Sequence, residues 1–168
     1  MSKSSEIVDA KGLSSTELVS VLNSALADEY LAAFQYLLGA PIVYGLERKN
    51  IEDTMYKHYE EEMEHAKWLT QRIIELDGTP LINPTQWFKV TNCGYIEPNN
   101  PKTDVIVEQI LTAERCAIEV YNSILDKVKD KDPVTFDIIR KILSEEEEHE
   151  RDFMDYQDDL KEAKSQVL

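Results

Sequence analysis

The amino-acid sequence predicts an all-α protein, a single domain folded as an antiparallel bundle of four helices. Apolar residues recur at steps of three and four along four segments, as they do on one face of an α-helix, and no strand-like alternation accompanies them. The chain of 168 residues suits one domain, and its 5 glycines and 6 prolines are too few for a disordered chain or an all-β fold. One long connection divides the four segments into two pairs.

The first two helices are expected at 14–45 and 50–77. Ser14 fits the start of a capping box at the beginning of the first helix. Pro41 lies late in this helix and should kink or shorten it, because proline lacks an amide proton and clashes with the preceding turn. Gly78 is expected at the C′ position that ends the second helix.

The last two helices are expected at 103–130 and 133–164. Asp132 and Pro133 have the residue types of an N-cap and of the first helical position. Residues 1–13, ahead of the first helix, are expected to form an N-terminal tail, and the whole chain is expected to be one domain.

The connections between the helices determine the topology. The first two helices and the last two are joined by only a few residues, so each pair is expected to form an antiparallel hairpin. Between the pairs lies the segment 78–102, which holds four of the six prolines. So long a connection fits a crossover that runs the length of a bundle.

Charged side chains interrupt all four apolar stripes. The first and third helices each offer one glutamate, and the second and fourth each offer Glu-x-x-His, whose two side chains share a helix face. The six residues are Glu29, Glu62, His65, Glu114, Glu146 and His149. The glutamates of the first hairpin are 33 residues apart and those of the second are 32 apart. We therefore expect all six side chains at one height in the bundle.

Four buried carboxylates require positive charge beside them. An isolated buried carboxylate is costly, and four together would repel one another or become protonated. Two divalent cations would balance the four glutamates, and mixed carboxylate and imidazole ligands suit iron or manganese better than calcium or structural zinc. The pattern is that of carboxylate-bridged di-iron bundles, so two iron ions per chain are predicted.

The remaining acidic residues and histidine near these positions have more ordinary interpretations. Asp28, Glu61, Glu119 and Glu145 point elsewhere on their helices and are expected on the solvated surface. His58 lies one heptad before a predicted ligand and is either an accessory ligand or a histidine at the edge of the core.

Two tyrosines each lie seven residues beyond a predicted ligand glutamate. Tyr36 and Tyr121 therefore share a helix face with these ligands. They either pack in the core with a satisfied hydroxyl, or donate a hydrogen bond to a ligand or supply an electron.

Composition limits the compartment and the partners. The formal net charge of −15 argues against a nucleic-acid partner, since phosphate contacts need a basic surface. The N-terminal residues lack the apolar core of a signal peptide, and no apolar run approaches the length of a membrane span. Two cysteines do not make a secreted disulfide scaffold, so a cytoplasmic protein without a membrane partner is expected.

Four segments of the chain resemble bacterioferritin over nearly the whole bundle. These segments are LNSALADEYLAAFQYLLGA, EEEMEHAKWLTQRIIELDGTP, AERCAIEVYNSI and ILSEEEEHERDFMDYQ. The resemblance implies a ferritin-like fold in which the six residues above are the ligands of a ferroxidase site, with Glu62 and Glu146 bridging the two metals.

Three features bear on how closely the chain follows bacterioferritin. Few residues follow the fourth helix, where bacterioferritins carry a short fifth helix and assemble as 24-mers. Cys93 and Cys116 are instead similar to the cysteine pair of Dps-like proteins, or thioferritins, which form shells of 12 subunits. This likeness implies a disulfide between them, whereas two unpaired buried thiols would suit the cytoplasm. Met63 occupies the position of the haem-binding methionine of bacterioferritins, but the Dps-like resemblance argues against haem.

The resemblance implies a ferroxidase that stores and detoxifies iron. Such a protein oxidises Fe(II) with hydrogen peroxide or dioxygen and sequesters Fe(III) in a hollow shell of identical subunits, which protects against oxidative stress. Peroxide as the preferred oxidant follows from the Dps-like resemblance alone. The alternatives are a haem-containing bacterioferritin of 24 subunits that stores iron, and a shell protein that coats DNA.

Overall fold

The computed structural model describes residues 1–166 and confirms an all-α bundle with a crossover between its two hairpins. Six α-helices, in chain order, are α1 (Lys3–Ala10), α2 (Ser15–Gly39), α3 (Arg48–Glu75), α4 (Trp87–Val90), α5 (Thr103–Val128) and α6 (Pro133–Ser165). Helix α2 pairs with α3, and α5 pairs with α6, as the short connections require. The four long helices are those predicted from the apolar stripes. Within residues 1–166, no helix is both long enough and apolar enough to cross a membrane.

The predicted N-terminal tail contains the additional helix α1. The backbone amide of Ser2 and the hydroxyl of Ser5 both donate to the carboxylate of Asp77, just beyond the end of α3. Val8 is buried in the adjacent apolar core. The eight residues of α1 are too few to show a helical stripe, and its contacts with the bundle end stabilise it.

Two N-terminal caps are confirmed. The hydroxyl of Ser14 accepts a hydrogen bond from the amide of Glu17 at 3.2 Å. The carboxylate of Asp132 accepts one from the amide of Thr135 at 3.1 Å, and the same carboxylate binds the buried guanidinium of Arg72 at 2.8 Å. Asp132 therefore caps α6 and also ties this end of α6 to α3.

The C-terminal ends follow local backbone rules, with one correction. Helix α2 stops at Gly39 and continues as a short 3₁₀ turn, which confirms that Pro41 shortens it. At the end of α3 the left-handed C′ residue is Asp77, with φ of 59°, and the expectation of Gly78 at this position was wrong by one residue. Glycine is needed next because a Cβ at Gly78 would lie 2.5 Å from Val19.

The crossover follows α2 along the bundle and contains a 3₁₀ turn and the short helix α4. The side-chain amide of Asn23 donates to the carbonyl of Thr79 at 3.0 Å near the start of this segment. Farther along, the ring of Trp87 stacks on Tyr30 at 4.4 Å between centroids. At the far end the amide of Tyr44 donates to a carbonyl just before α5. The crossover therefore covers one side of α2 along most of its length.

The core of the bundle is divided into two apolar clusters with a polar layer between them. One cluster lies toward the start of α2 and the end of α3, and includes Leu18, Leu22, Leu69, Ile73, Ile124 and Ile139. The other lies toward the opposite end, and includes Val43, Ile51, Met55, Val107, Leu111 and Phe153. The layer between them contains the charged residues that interrupt the apolar stripes.

Candidate metal centre

The structure brings all six predicted residues together in the polar layer. Each is at most 3% exposed. They form two groups of four, in each of which one ligand atom per residue lies within 4.8 Å of all the others. The groups are Glu29, Glu62, His65 and Glu146, and Glu62, Glu114, Glu146 and His149. Glu62 and Glu146 belong to both groups, so the geometry offers two adjacent cation positions with two shared carboxylates.

Both histidines direct Nδ1 into the centre. Nδ1 of His65 lies 3.0 Å from the carboxylate of Glu29 and 3.2 Å from those of Glu62 and Glu146. Nδ1 of His149 lies 3.3 to 3.7 Å from the three carboxylates of its own group. Each group therefore contains one imidazole nitrogen and three carboxylates, which is a donor set suited to iron.

The outward nitrogens of the histidines contact two carboxylates that sequence reasoning assigned to the solvated surface. Nε2 of His65 lies 2.8 Å from Glu145, and Nε2 of His149 lies 3.0 Å from Glu61. These two glutamates do reach the surface, at 30% and 34% exposure, but the expectation that they point away from the site was wrong. A carboxylate behind a histidine fixes the ring orientation and the tautomer that leaves the other nitrogen free to bind metal.

A repeated sequence signal could have identified this pair. Both α3 and α6 contain Glu-Glu-x-Glu-His, with the ligand glutamate in the second position. The first glutamate faces across the gap between the two helices, and it contacts the histidine of the other helix rather than its own. The pairing is therefore visible only once the two helices are placed side by side.

The two buried tyrosines contact ligand carboxylates. The hydroxyl of Tyr36 on α2 donates to Glu114 on α5, and the hydroxyl of Tyr121 on α5 donates to Glu29 on α2. Burial, followed by the neighbouring carboxylates, raises the pKa of both phenols well above the usual value. Both hydroxyls therefore stay protonated and act as hydrogen-bond donors.

The four carboxylates divide into two electrostatic classes. Burial and nearby negative charge raise the pKa of Glu29 and Glu114 well above the usual value. Burial also acts on Glu62 and Glu146, but short polar contacts with both histidines outweigh it and lower the pKa of these two groups. The shared glutamates are therefore the ionised pair in the metal-free site.

The pKa of the two ligand histidines is raised, whereas that of the shared glutamates is lowered. Burial alone would lower the pKa of His65 and His149, but their contacts with several carboxylates raise it above the usual value. In the metal-free centre both imidazoles are therefore protonated and balance the two ionised glutamates. Cations that bind here must displace protons from groups that hold them firmly.

Several polar atoms of the centre lack a hydrogen bond. Within residues 1–166, buried atoms without a partner include Oε1 of Glu62, Oε2 of Glu114, Oε1 of Glu146 and Nδ1 of His149. Leaving such an atom unpaired in the interior costs about 1–3 kcal/mol. These four atoms belong to one of the two ligand groups, so the residues present fit bound cations.

His58 lies against this centre and is buried. Its ring stacks on His149 with 3.9 Å between centroids, its Nδ1 lies 3.4 Å from the hydroxyl of Tyr36, and its Nε2 lies 3.1 Å from Asp152. Burial and the charge of His149 lower its pKa to about 4. It also forms a third compact group with Glu61 and His149, so its position leaves both earlier interpretations open.

The remaining candidates lie outside the two ligand groups. Cys93 and Cys116 form a disulfide, with 5.7 Å between their Cα atoms, that joins the crossover to α5. Met63 is half-buried on α3. Glu119 is exposed, as expected, but Asp28 is buried, and the expectation of a solvated surface position for it was wrong.

Comparison with known proteins places these features in a family context. The model of the ferritin-like domain family matches residues 19–163. The DNA protection during starvation protein of Pyrococcus furiosus is 32% identical over 146 residues, covering 86% of this chain and 78% of that protein. A dodecameric thioferritin of Bacteroides fragilis, described as bacterioferritin-related, has 39% identity and a TM-score of 0.96, with 99% of this chain and 98% of that chain covered. The bacterioferritin of Desulfovibrio desulfuricans, which has a di-iron site, has 25% identity and a TM-score of 0.75, with 88% and 82% covered.

Proposed function

The chain belongs to the ferritin-like domain family, and we propose that it is a ferroxidase that binds two Fe(II) ions in the polar layer of each subunit. The predicted Dps-like resemblance is confirmed by the similarity to the thioferritin and to the Pyrococcus protein. Family membership and these relatives support a role in iron storage and protection.

One observation supports this proposal most strongly. Glu62 and Glu146 are shared by two compact groups of carboxylate and imidazole donors. In the proposed arrangement these two glutamates contact both Fe(II) ions. Glu29 and His65 complete the first position, and Glu114 and His149 complete the second. Open positions left by this small donor set would admit the oxidant.

The proposed reaction is the oxidation of Fe(II), which is the substrate. Two Fe(II) ions each lose one electron, and hydrogen peroxide accepts both electrons and two protons as its O–O bond breaks, giving two waters. The hydroxyls of Tyr36 and Tyr121 hold Glu114 and Glu29, the two glutamates that are not shared. Glu61 and Glu145 hold the two histidines. These contacts keep the ligands in place while the charge of the iron changes.

The proposed assembly is a hollow shell of 12 subunits that stores Fe(III), by similarity to the Bacteroides thioferritin. Consumption of Fe(II) together with peroxide suppresses formation of the hydroxyl radical. We propose that protection in the cytoplasm is achieved this way rather than by coating DNA, since the net charge of −15 opposes binding to phosphate. Haem at Met63 is not part of the proposal.

Substitution of a shared ligand tests this function against a neighbour on the same helix. The Glu146→Ala variant should lose rapid oxidation of Fe(II) by peroxide, measured as the appearance of Fe(III) absorbance under anaerobic mixing. The matched Glu147→Ala variant removes an exposed carboxylate one residue away and should keep the rate of the wild type. Equal rates in all three proteins would refute the proposed site.

A further inference from the structure

A narrow opening leads to the metal centre between α2 and α5. Its volume is about 20 Å³, and a single water needs roughly 10–15 Å³. At its inner end lie the four ligand carboxylates, and its walls include Ala32, Ala113 and Ala117. Cys93 and Gly94 of the crossover lie at its outer end. We call residues 91–94 the roof segment.

Asp28 holds the roof segment in place from α2. One carboxylate oxygen of Asp28 accepts hydrogen bonds from the amide of Asn92 at 2.8 Å, from the amide of Cys93 at 3.0 Å and from the hydroxyl of Thr91. The other oxygen accepts the side-chain amide of Asn92 at 2.6 Å. Asp28 is only 7% exposed. Hydrogen bonds to a shielded carboxylate are among the stronger ones in proteins.

Two further tethers connect the same part of the crossover to both walls of the opening. The disulfide between Cys93 and Cys116 fastens the roof segment to α5. The amide of Ile96 donates to the side chain of Gln35 on α2 at 3.2 Å. The roof segment is therefore fixed to both helices that border the opening, and neither wall can move away without stretching a tether.

We propose that Asp28 is a positioning residue whose hydrogen bonds keep the roof segment over this opening and so limit the oxidant to very small molecules. The inference rests on the proposed function. Hydrogen peroxide and dioxygen have two heavy atoms each and fit an opening of this size, whereas an organic hydroperoxide with a branched carbon group does not. A hydrated Fe(II) ion is also too large for an opening of this size.

The hydrogen-bonding pattern provides a matched pair of variants. Asp28→Ala removes the four hydrogen bonds that hold the roof segment itself to α2 and leaves the contact of Gln35 with Ile96 in place. Asp28→Asn removes the charge but keeps one oxygen in place for the two amides and the hydroxyl, and the side chain of Asn92 can turn to face the new amide group. The two variants therefore separate the hydrogen bonds of Asp28 from its charge.

The test compares two oxidants in the full-length, assembled protein. Fe(II) oxidation is measured with hydrogen peroxide and with tert-butyl hydroperoxide, which accepts the same two electrons and two protons and yields tert-butanol and water. The rate with tert-butyl hydroperoxide divided by the rate with hydrogen peroxide should rise about tenfold in Asp28→Ala. The same ratio should stay near the wild-type value in Asp28→Asn. An unchanged ratio in Asp28→Ala, or an equal rise in both variants, would overturn the proposal.

A second readout does not depend on iron. In the metal-free protein, hydrogen exchange at the amides of Asn92 and Cys93 should accelerate in Asp28→Ala while the core helices stay protected. Unchanged exchange there would also overturn the proposal. If the wild type failed to oxidise Fe(II) with either oxidant, the proposed function would fall, and hydrogen exchange would still decide the role of Asp28.

A variant that removes the tether to the opposite wall covers the case in which Asp28→Ala does not assemble. Cys93→Ser leaves Asp28 intact and removes only the tether to α5. It should raise the ratio of bulky to small oxidant in the same direction, and an unchanged ratio in a correctly assembled shell would count against the roof as the size limit.

Discussion

The metal centre has two faces that differ in chemistry. Toward the gap between α2 and α5 lie small side chains, a disulfide and the roof segment, and the opening is about 20 Å³. Toward the gap between α3 and α6 lie carboxylates that reach solvent, namely Glu61, Glu145 and Asp152, which are 34%, 30% and 43% exposed. The first face suits a small neutral molecule, and the second attracts cations.

In the proposed ferroxidase, the two faces would receive different reactants. The ligand set itself is nearly symmetric, with one glutamate and one tyrosine from α2 and from α5, and one Glu-x-x-His from α3 and from α6. The asymmetry comes from the crossover, which covers the gap between α2 and α5. In the proposed ferroxidase, the exposed carboxylates of the acidic face would attract Fe(II) on the side away from the roof segment.

The largest expected effect is that of pH on cation affinity, and it involves groups on both faces. Glu29, Glu114, His65 and His149 all have a raised pKa and hold protons in the metal-free centre. Binding of two cations must release these protons, so affinity should fall as pH falls and rise as pH rises. Calorimetric titration with Co(II) in buffers of different ionisation enthalpy should detect the release of up to four protons per chain. Two would come from the glutamates on α2 and α5, and two from the histidines on α3 and α6. Binding without proton release would contradict this account of the charges.

The next effect concerns the acidic face alone. Glu145→Gln or Glu61→Gln leaves a histidine without its orienting carboxylate, and metal affinity should fall about 10- to 100-fold. Glu148→Gln provides a matched loss of charge at an exposed position on α6 and should change affinity little. An equal loss in all three variants would indicate general attraction of cations in place of specific support for the ligands.

The smallest expected effect is the loss of metal affinity when a tyrosine hydroxyl is removed between α2 and α5, on the face with the roof segment. Tyr36→Phe and Tyr121→Phe each remove one hydrogen bond to a ligand carboxylate, which should cost about 1 kcal/mol, or roughly a fivefold loss of affinity. Tyr156→Phe is a suitable control, because its hydroxyl contacts Thr54 at 2.8 Å and no ligand. A tyrosine variant with the affinity of the control would show that these hydroxyls only fill space.

Sequence reasoning predicted the bundle and the convergence of six side chains because both depend on periodic spacing within single helices. The contacts of Glu61, Glu145 and Asp28 were not predicted, because their partners belong to another helix or to the crossover. The same reason explains α1, which is stabilised by Asp77 at the far end of the first hairpin. Contacts between distant segments cannot be deduced from the spacing of one segment.

In the proposed site, Glu62 and Glu146 bind two cations at once. This arrangement can be examined in a crystal of the assembled protein soaked anaerobically with Fe(II), with anomalous diffraction measured at the iron edge. We expect two iron peaks per subunit, each within coordination distance of both glutamates and each next to one histidine. A single peak, or peaks away from this pair of carboxylates, would contradict it.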